Sequence, residues 1–237
     1  PVPDAAGLKA SKKLMELVSG LTKDDLVIAL ICGGGSALLP APAGALTLDD
    51  EIAVNKELLA SGAPISAMNA IRKHVSQIKG GRLAALAFPA KVVSLIVSDI
   101  PGDIASYVAS GPTVPDANTR QDALKLIAQY GMKFPDAVMR HLSSPEADAP
   151  KPSDPVFMNN EVHIIASAAV SLEAAASAAR RQGVEAVILS DAIEGEAREA
   201  AKVHAAIARE VSIRDRPFAK PVVILSGGET TVTLTGK

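Results

Sequence analysis

The strongest constraint on how this chain folds is an alternation. Short apolar runs at 26–32, 91–97, 162–166, 184–190 and 222–226 are separated by stretches of helical character, clearest in the alanine-rich segments at about 168–181 and 195–210. Apolar runs of that length, bounded by turn residues, read as buried strands of a parallel sheet. Strand–helix alternation then calls for helices on both faces of the sheet. The expectation is an α/β fold, a Rossmann-like three-layer sandwich with a mostly parallel sheet. Residues 230–235 alternate in the manner of a half-exposed strand.

Helical segments are also expected at 8–18, from Thr47 to about 59, over 65–86 with a break near Gly80-Gly81, at 119–130 and at 135–142. Thr47 is placed to cap the second of these, and Pro64 suits the first turn of the third. Residues 143–155 carry four prolines and read as a surface loop.

Composition narrows the classes. The 237 residues suffice for one large domain, or one domain and part of another. A hydrophobic fraction of 48% supports a sizeable core, and a net charge of −2 argues against a nucleic-acid surface. One cysteine excludes an internal disulfide and suits a reducing cytoplasm. No apolar run approaches the roughly 18 residues of a membrane-spanning helix, and no signal peptide is visible.

Several loops carry candidate chemistry. Cys32-Gly33-Gly34-Gly35-Ser36 follows the first strand, at the edge where open α/β sheets bind ligands. Without Cβ atoms its N–H groups can approach an anion closely; a tight turn for packing is the plainer alternative. Cys32 itself reads as a small buried apolar residue. The segment 69–82 gathers Asn69, Arg72, Lys73, His74, Lys79 and Arg82. On a helix Arg72 and Lys79 share a face and can clamp phosphate oxygens; a solvated basic face is the usual alternative. Gly80-Gly81 again permits close backbone approach. Asp99 and Asp103 bracket Pro101-Gly102, which fits the centre of a type II turn. Two carboxylates there can hold Mg²⁺, activate a hydroxyl, or only cap the turn. Ser110-Gly111-Pro112-Thr113 and Ser226-Gly227-Gly228-Glu229 are further small-residue loops, the second on the same sheet edge. Ser190-Asp191 reads as capping. The four histidines show no metal-ligand spacing, and neither GxxxxGK[ST] nor GxGxxG is present.

The runs Cys32 to Pro40, Asn69 to His74, Ile78 to Leu83, Ser98 to Asp103 and Ser110 to Asp116 closely resemble the glycerate 2-kinase family. Members of that family also carry the name hydroxypyruvate reductase of tartrate utilisation and end in a MOFRL domain. Leu225-Ser226-Gly227-Gly228-Glu229-Thr230-Thr231-Val232 looks like the opening of that domain. The resemblance implies a kinase domain over 1–220 and the start of the MOFRL domain over 221–237. The ends, Pro1-Val2-Pro3 and Thr235-Gly236-Lys237, read as those of a piece of a longer protein. The family adds roughly a hundred residues before Pro1, with a lysine important for activity. The piece alone is therefore expected to be inactive. Where the family usually has Ser at the head of the main loop, this chain has Cys32.

The resemblance implies ATP-dependent phosphorylation of the 2-hydroxyl of D-glycerate, with Mg²⁺, in the cytoplasm; a homodimer is compatible with it. In that reading Gly33, Gly34, Gly35 and Ser36 cradle an anion, with Asn69, Ser110, Gly111, Gly227, Gly228 and Glu229 around the substrates. Arg72, Lys73 and Lys79 neutralise phosphate or carboxylate, and Asp99 or Asp103 holds the metal or takes the hydroxyl proton. Whether the glycines hold ATP or glycerate stays open. The rivals are an NAD(P)H-dependent hydroxypyruvate reductase, which the missing GxGxxG disfavours, and a non-catalytic ligand-binding module.

Overall fold

The computed structural model describes residues 2–232. Helix α1 (Ala5–Val18) is capped by Asp4, whose carboxylate accepts from Gly7 N–H at 2.7 Å. Strand β1 (Leu26–Ile31) leads through the glycines to a single turn, α2 (Gly35–Leu38). Then follow α3 (Leu48–Ala60), α4 (Ile65–His74), α5 (Arg82–Ala87) and β2 (Lys91–Val97). Beyond two 3₁₀ turns come α6 (Arg120–Gln129), α7 (Asp136–Ser143) and β3 (Glu161–Ala166). The last elements are α8 (Ala168–Arg181), β4 (Glu185–Ile188), β5 (Ile193–Glu196), α9 (Ala197–Arg214), β6 (Val222–Leu225) and β7 (Gly228–Thr231).

The α/β class with parallel strands holds. β1 pairs with β2 in parallel from Leu26↔Lys91 to Ile31↔Ile96, and β4–β6 and β5–β7 are parallel too. Among the described residues the hydrogen bonding falls into three ladders, β1-β2-β3, β4-β6 and β5-β7. The expected strand at 230–235 is seen in part as β7, earlier in register; residues 233–235 lie outside the described residues.

The chain forms two compact units: Pro1–Ile96 with Ala105–Ile164, and Val97–Ile104 with Ile165–Lys237. In the first, Val54, Leu58, Ile71, Val75, Ile127, Val138 and Leu142 make one core between α3, α4, α6 and α7. A smaller cluster of Val18, Ala84, Ala87 and Val92 lies under β2. In the second unit α8 packs Leu172 and Ala176 inward.

Two local expectations change. The break expected near Gly80-Gly81 within the helical segment 65–86 is wider than expected, running from the end of α4 at His74 to the start of α5 at Arg82, because the residues between have other partners. Gln77 N–H donates to Ala41 O at 2.7 Å, the Ser76 hydroxyl accepts from Ile78 and Lys79 N–H, and Gly80 and Gly81 take φ of 64° and 81°. Cys32, expected buried, is exposed. Successive side chains of β1 point to opposite faces and one face is left uncovered, with Leu26, Ile28 and Leu30 58%, 59% and 78% exposed; Cys32 continues that face.

Candidate functional site

In the first unit the chemistry centres on a polar frame set into an apolar core. Glu51 lies on the buried face of α3, three and seven residues before Val54 and Leu58. Its carboxylate receives Lys79 Nζ at 2.7 Å and Ala41 N–H at 3.0 Å. Lys73 makes a short ion pair with Asp116, and its Nζ sits 5.0 Å from the Tyr107 ring centre. Lys73 and Lys79 are both 1% exposed. Burial pulls the Lys73 ammonium down to about 7. Burial also lowers Lys79, and Glu51 opposes it. Arg72 Nε donates to Asn55 Oδ1 at 2.9 Å; burial lowers its pKa and Glu51 opposes that.

This corrects the basic clamp. Lys79 lies beyond the end of α4 and shares no helical face with Arg72. The ammonium groups of Lys73 and Lys79 are already matched by carboxylates inside the protein, and Arg72 is the half-buried cation of the three. Gly80 and Gly81 do approach something closely, but it is the chain itself. A Cβ on Gly80 would lie 3.0 Å from Lys73 Cβ, and one on Gly81 2.9 Å from the Pro115 backbone. Their N–H groups donate to Ser110 O and Gly111 O. His74 is fully buried at the end of α4, its Nδ1 3.0 Å from Ala147 O, and burial lowers its pKa.

The glycine loop is joined to this frame. Gly34 takes φ 75° and ψ −11° at the head of α2, and a Cβ on Gly35 would lie 3.0 Å from that of Ala109. α2 spans four residues, so the loop does not open a long helix whose dipole would hold an anion. Gly33 precedes it, half-buried. Ser36 Oγ lies 2.7 Å from Ser110 Oγ, and Ser110 donates to Asn69 Oδ1 at 2.7 Å. Asn69 Nδ2 reaches Tyr107 O at 3.4 Å. Ala109, Ser110 and Gly111 all have positive φ of 50–62°, a strained run for the two non-glycines. A Cβ on Gly111 would lie 2.7 Å from both Ser106 O and Val114 O. Thus Ser36, Asn69, Ser110 and Gly111 come together.

In the second unit one recess is lined by Ser98, Asp99, Pro101, Gly102, Asp103, Ala168, Asp191, Gly228 and Glu229. The type II turn is present: Asp103 N–H donates to Ile100 O at 3.0 Å, and Gly102 has φ 75° and ψ 9°. Asp99, Asp103, Gly228 and Glu229 therefore share one recess with the start of α8. Gly227 N–H donates to Ser190 O, and its missing Cβ leaves room for Leu172 and Ala168. Gly228 pairs with Ile193 at φ 139°, where any Cβ would run into the Ile193 backbone. Gly228 is thus committed to strand pairing as well as lining the recess, whereas Gly227 does not line it. Among the described residues no group of three or more His, Cys, Asp or Glu is placed to hold a metal, and no helix is long and apolar enough to cross a membrane.

Sequence reasoning missed Glu51, Asn55, Tyr107 and Asp116 and gave Asp191 a capping role only. For Glu51 a signal existed: an acid at helical spacing from Val54 and Leu58 falls on the core side. Asp116 carried no such signal, since its partner Lys73 is 43 residues away.

Residues 1–143 match the family described as Domain of unknown function (DUF4147). The chain is 51% identical over 234 residues to a protein from Agrobacterium vitis named "Putative hydroxypyruvate reductase", covering 99% of this chain and 52% of that one. It is 40% identical to the D-glycerate 2-kinase of Thermotoga maritima, covering 100% of this chain and 55% of the relative. The crystal structure of a Thermotoga maritima glycerate kinase superposes on the whole chain, and on 56% of its own, with a TM-score of 0.84 at 40% identity. The chain thus spans about half the length of the curated relatives it matches. With residues 1–143 matched to that family and its full length aligned to named glycerate kinases, the chain belongs to the DUF4147 family.

Proposed function

We propose that the protein containing this chain transfers the γ-phosphoryl group of ATP to the 2-hydroxyl of D-glycerate. The observation that carries this reading is the likeness along the whole chain, in sequence and in backbone, to a glycerate kinase at 40% identity. The geometry supports it in kind. Phosphoryl transfer asks for positioning and charge neutralisation more than for covalent help, and this chain supplies rigid small-residue loops with charged residues behind them.

Asp99 and Asp103 line one recess on a defined turn. As hard oxygen donors they suit Mg²⁺, which commonly takes one or two carboxylates plus substrate phosphates. When bound, the metal would neutralise charge on the transferring phosphate. Arg72, anchored by Asn55, is the cation of the basic segment best placed to meet an anionic substrate group. Lys73 and Lys79 set the frame behind it. In the first unit Gly33, Gly34 and Gly35 shape the loop that carries Ser36; in the second Gly228 and Glu229 line the recess with Asp99 and Asp103.

The test uses the natural protein carrying this sequence. ADP release is followed with ATP, Mg²⁺ and D-glycerate, and the product is assigned as the 2- or 3-phosphate by ³¹P NMR. We expect 2-phosphoglycerate, abolished by chelation of the metal, and a loss of at least ~100-fold in kcat for Asp99→Asn or Asp103→Asn. Wild-type kinetics in both variants would remove the carboxylate roles. NADH oxidation by hydroxypyruvate without ATP would put the reductase reading, whose name the Agrobacterium vitis relative bears, in place of the kinase.

A further inference from the structure

The direction of the protons in the Ser36–Ser110–Asn69 relay decides what the glycine loop can recognise. The relay starts at a group that only accepts, the Tyr107 backbone carbonyl, which takes Asn69 Nδ2 at 3.4 Å. That orients the amide with Oδ1 toward Ser110, and Ser110 Oγ donates to it at 2.7 Å. A serine hydroxyl has one proton. Ser110's is committed to Asn69, so in the 2.7 Å contact with Ser36 it can only accept, and Ser36 must donate. Asn69 and Ser110 are 1% and 0% exposed, so water does not compete for either end. The left-handed run at 109–111 holds Ser110 in place, and Gly111 admits no side chain.

We propose that Ser36 is a specificity-determining residue whose hydroxyl presents lone pairs only, so the glycine loop takes a hydrogen-bond donor, the C2 hydroxyl of a 2-hydroxy acid. Ser36 is half-buried at the head of α2, and no other hydrogen bond to its Oγ is present among the described residues. An acceptor-only oxygen repels carboxylate and phosphate oxygens. This revises the anion-cradle role expected of Ser36: its chemistry favours a hydroxyl. A 2-oxo acid lacks a donor at that carbon and gains nothing from Ser36. The proposal rests on the glycerate reading for its substrate, but the proton direction does not.

Two measurements on the natural protein keep the two apart. Neutron diffraction from deuterium-exchanged crystals shows the hydroxyl directly. We expect the Ser36 deuteron between Ser36 and Ser110, and the Ser110 deuteron aimed at Asn69 Oδ1; a Ser110 deuteron aimed at Ser36 overturns the proposal. Calorimetric titration then compares D-glycerate with 3-hydroxypropionate, which lacks the C2 hydroxyl, and with hydroxypyruvate. The wild-type protein should favour D-glycerate, and Ser36→Ala should shrink that preference about 3- to 10-fold, the worth of one hydrogen bond. Binding of 3-hydroxypropionate should stay within about 2-fold between the two proteins. If Ser36→Ala keeps the full preference, the proposal fails and the kinase reading stands. If the wild-type protein binds none of the three acids, the glycerate reading and the assigned ligand fall together, whatever the deuterons show. Ser110→Ala, which frees the Ser36 proton, should shrink the preference in the same direction; an enlarged preference contradicts the relay.

Discussion

Removing the Glu51 carboxylate tests the buried frame most directly. Glu51 is 4% exposed and serves Lys79 at 2.7 Å and Ala41 N–H at 3.0 Å. Glu51→Ala leaves a lysine that is 1% exposed facing no carboxylate, and orphans a backbone donor. Breaking a buried pair from one side costs about 3–5 kcal/mol. For a unit of this size that lowers the melting midpoint by roughly 6–20 °C. The double change Glu51→Leu with Lys79→Met removes both charges and should recover much of that loss, because the pair's attraction mostly offsets its desolvation, leaving about 1–3 kcal/mol for the Ala41 N–H that still lacks an acceptor. The pH dependence has a definite sign. Burial already lowers the Lys79 pKa, and Glu51 is what holds it up. In Glu51→Ala it falls further. The unfolded chain then binds a proton that the folded variant does not, so the variant's stability rises relative to wild type as pH rises toward the ordinary lysine value. Urea unfolding at pH 7 and pH 10 should show the deficit narrowing. A deficit under 1 kcal/mol at pH 7, or a double variant as unstable as the single one, would refute this account of the frame.

Other changes separate packing from chemistry. Gly111→Ala puts a Cβ 2.7 Å from two carbonyl oxygens, whereas Gly131→Ala, at nearly the same φ, meets nothing within 4 Å; urea midpoints should show about 1–2 kcal/mol lost at Gly131 and clearly more at Gly111. Gly228→Ala should open the β5–β7 pair, seen as faster amide exchange at 193–196 and 228–231 with the first unit unchanged. His74 is buried with a lowered pKa, so below the unfolded value of 6.5 the unfolded chain binds the extra proton and stability falls as pH drops. Replacing it by Met should flatten that slope between pH 7 and 5, and an unchanged slope counts against it. Thr119→Ala removes a cap joined reciprocally to Asp122 and should lower stability by about 1 kcal/mol, read from the same urea curves.

The α/β class and most element positions were legible because they depend on local patterns. Apolar runs and alanine-rich spacing report on their own neighbourhood, and the Thr47 cap and the Pro101-Gly102 turn formed as their chemistry dictates. β5, at Ile193–Glu196, escaped because Glu194 and Gly195 carry no strand signal; pairing with β7 makes it a strand. Cys32 was misread because an apolar run looks alike whether one face of its strand or both are covered. The basic segment was misread for a related reason. Helical spacing says which side chains share a face, but not that the helix stops at His74 or that Glu51 and Asp116 arrive from elsewhere to neutralise two lysines.

Hydrogen-bond direction is the furthest from sequence of all. Ser36 in a glycine loop suggests an anion site, and as an isolated residue a serine can donate as readily as accept. Its role is settled three contacts away, at a carbonyl of Tyr107 that can only accept. That polarity bears on the two activities named among the relatives, since a 2-hydroxy acid brings a donor to Ser36 and a 2-oxo acid does not. Asn69 is therefore the residue on which the chemistry of the loop turns, although it faces no ligand. Asn69→Asp supplies only acceptors, so it keeps the Ser110 bond while losing the Tyr107 anchor. Because a carboxylate at this position can only accept from Ser110, Asn69→Asp should retain the preference for D-glycerate and lose stability, whereas Asn69→Leu should lose both. Equal ligand preference in the two variants would show that the relay's polarity is set elsewhere.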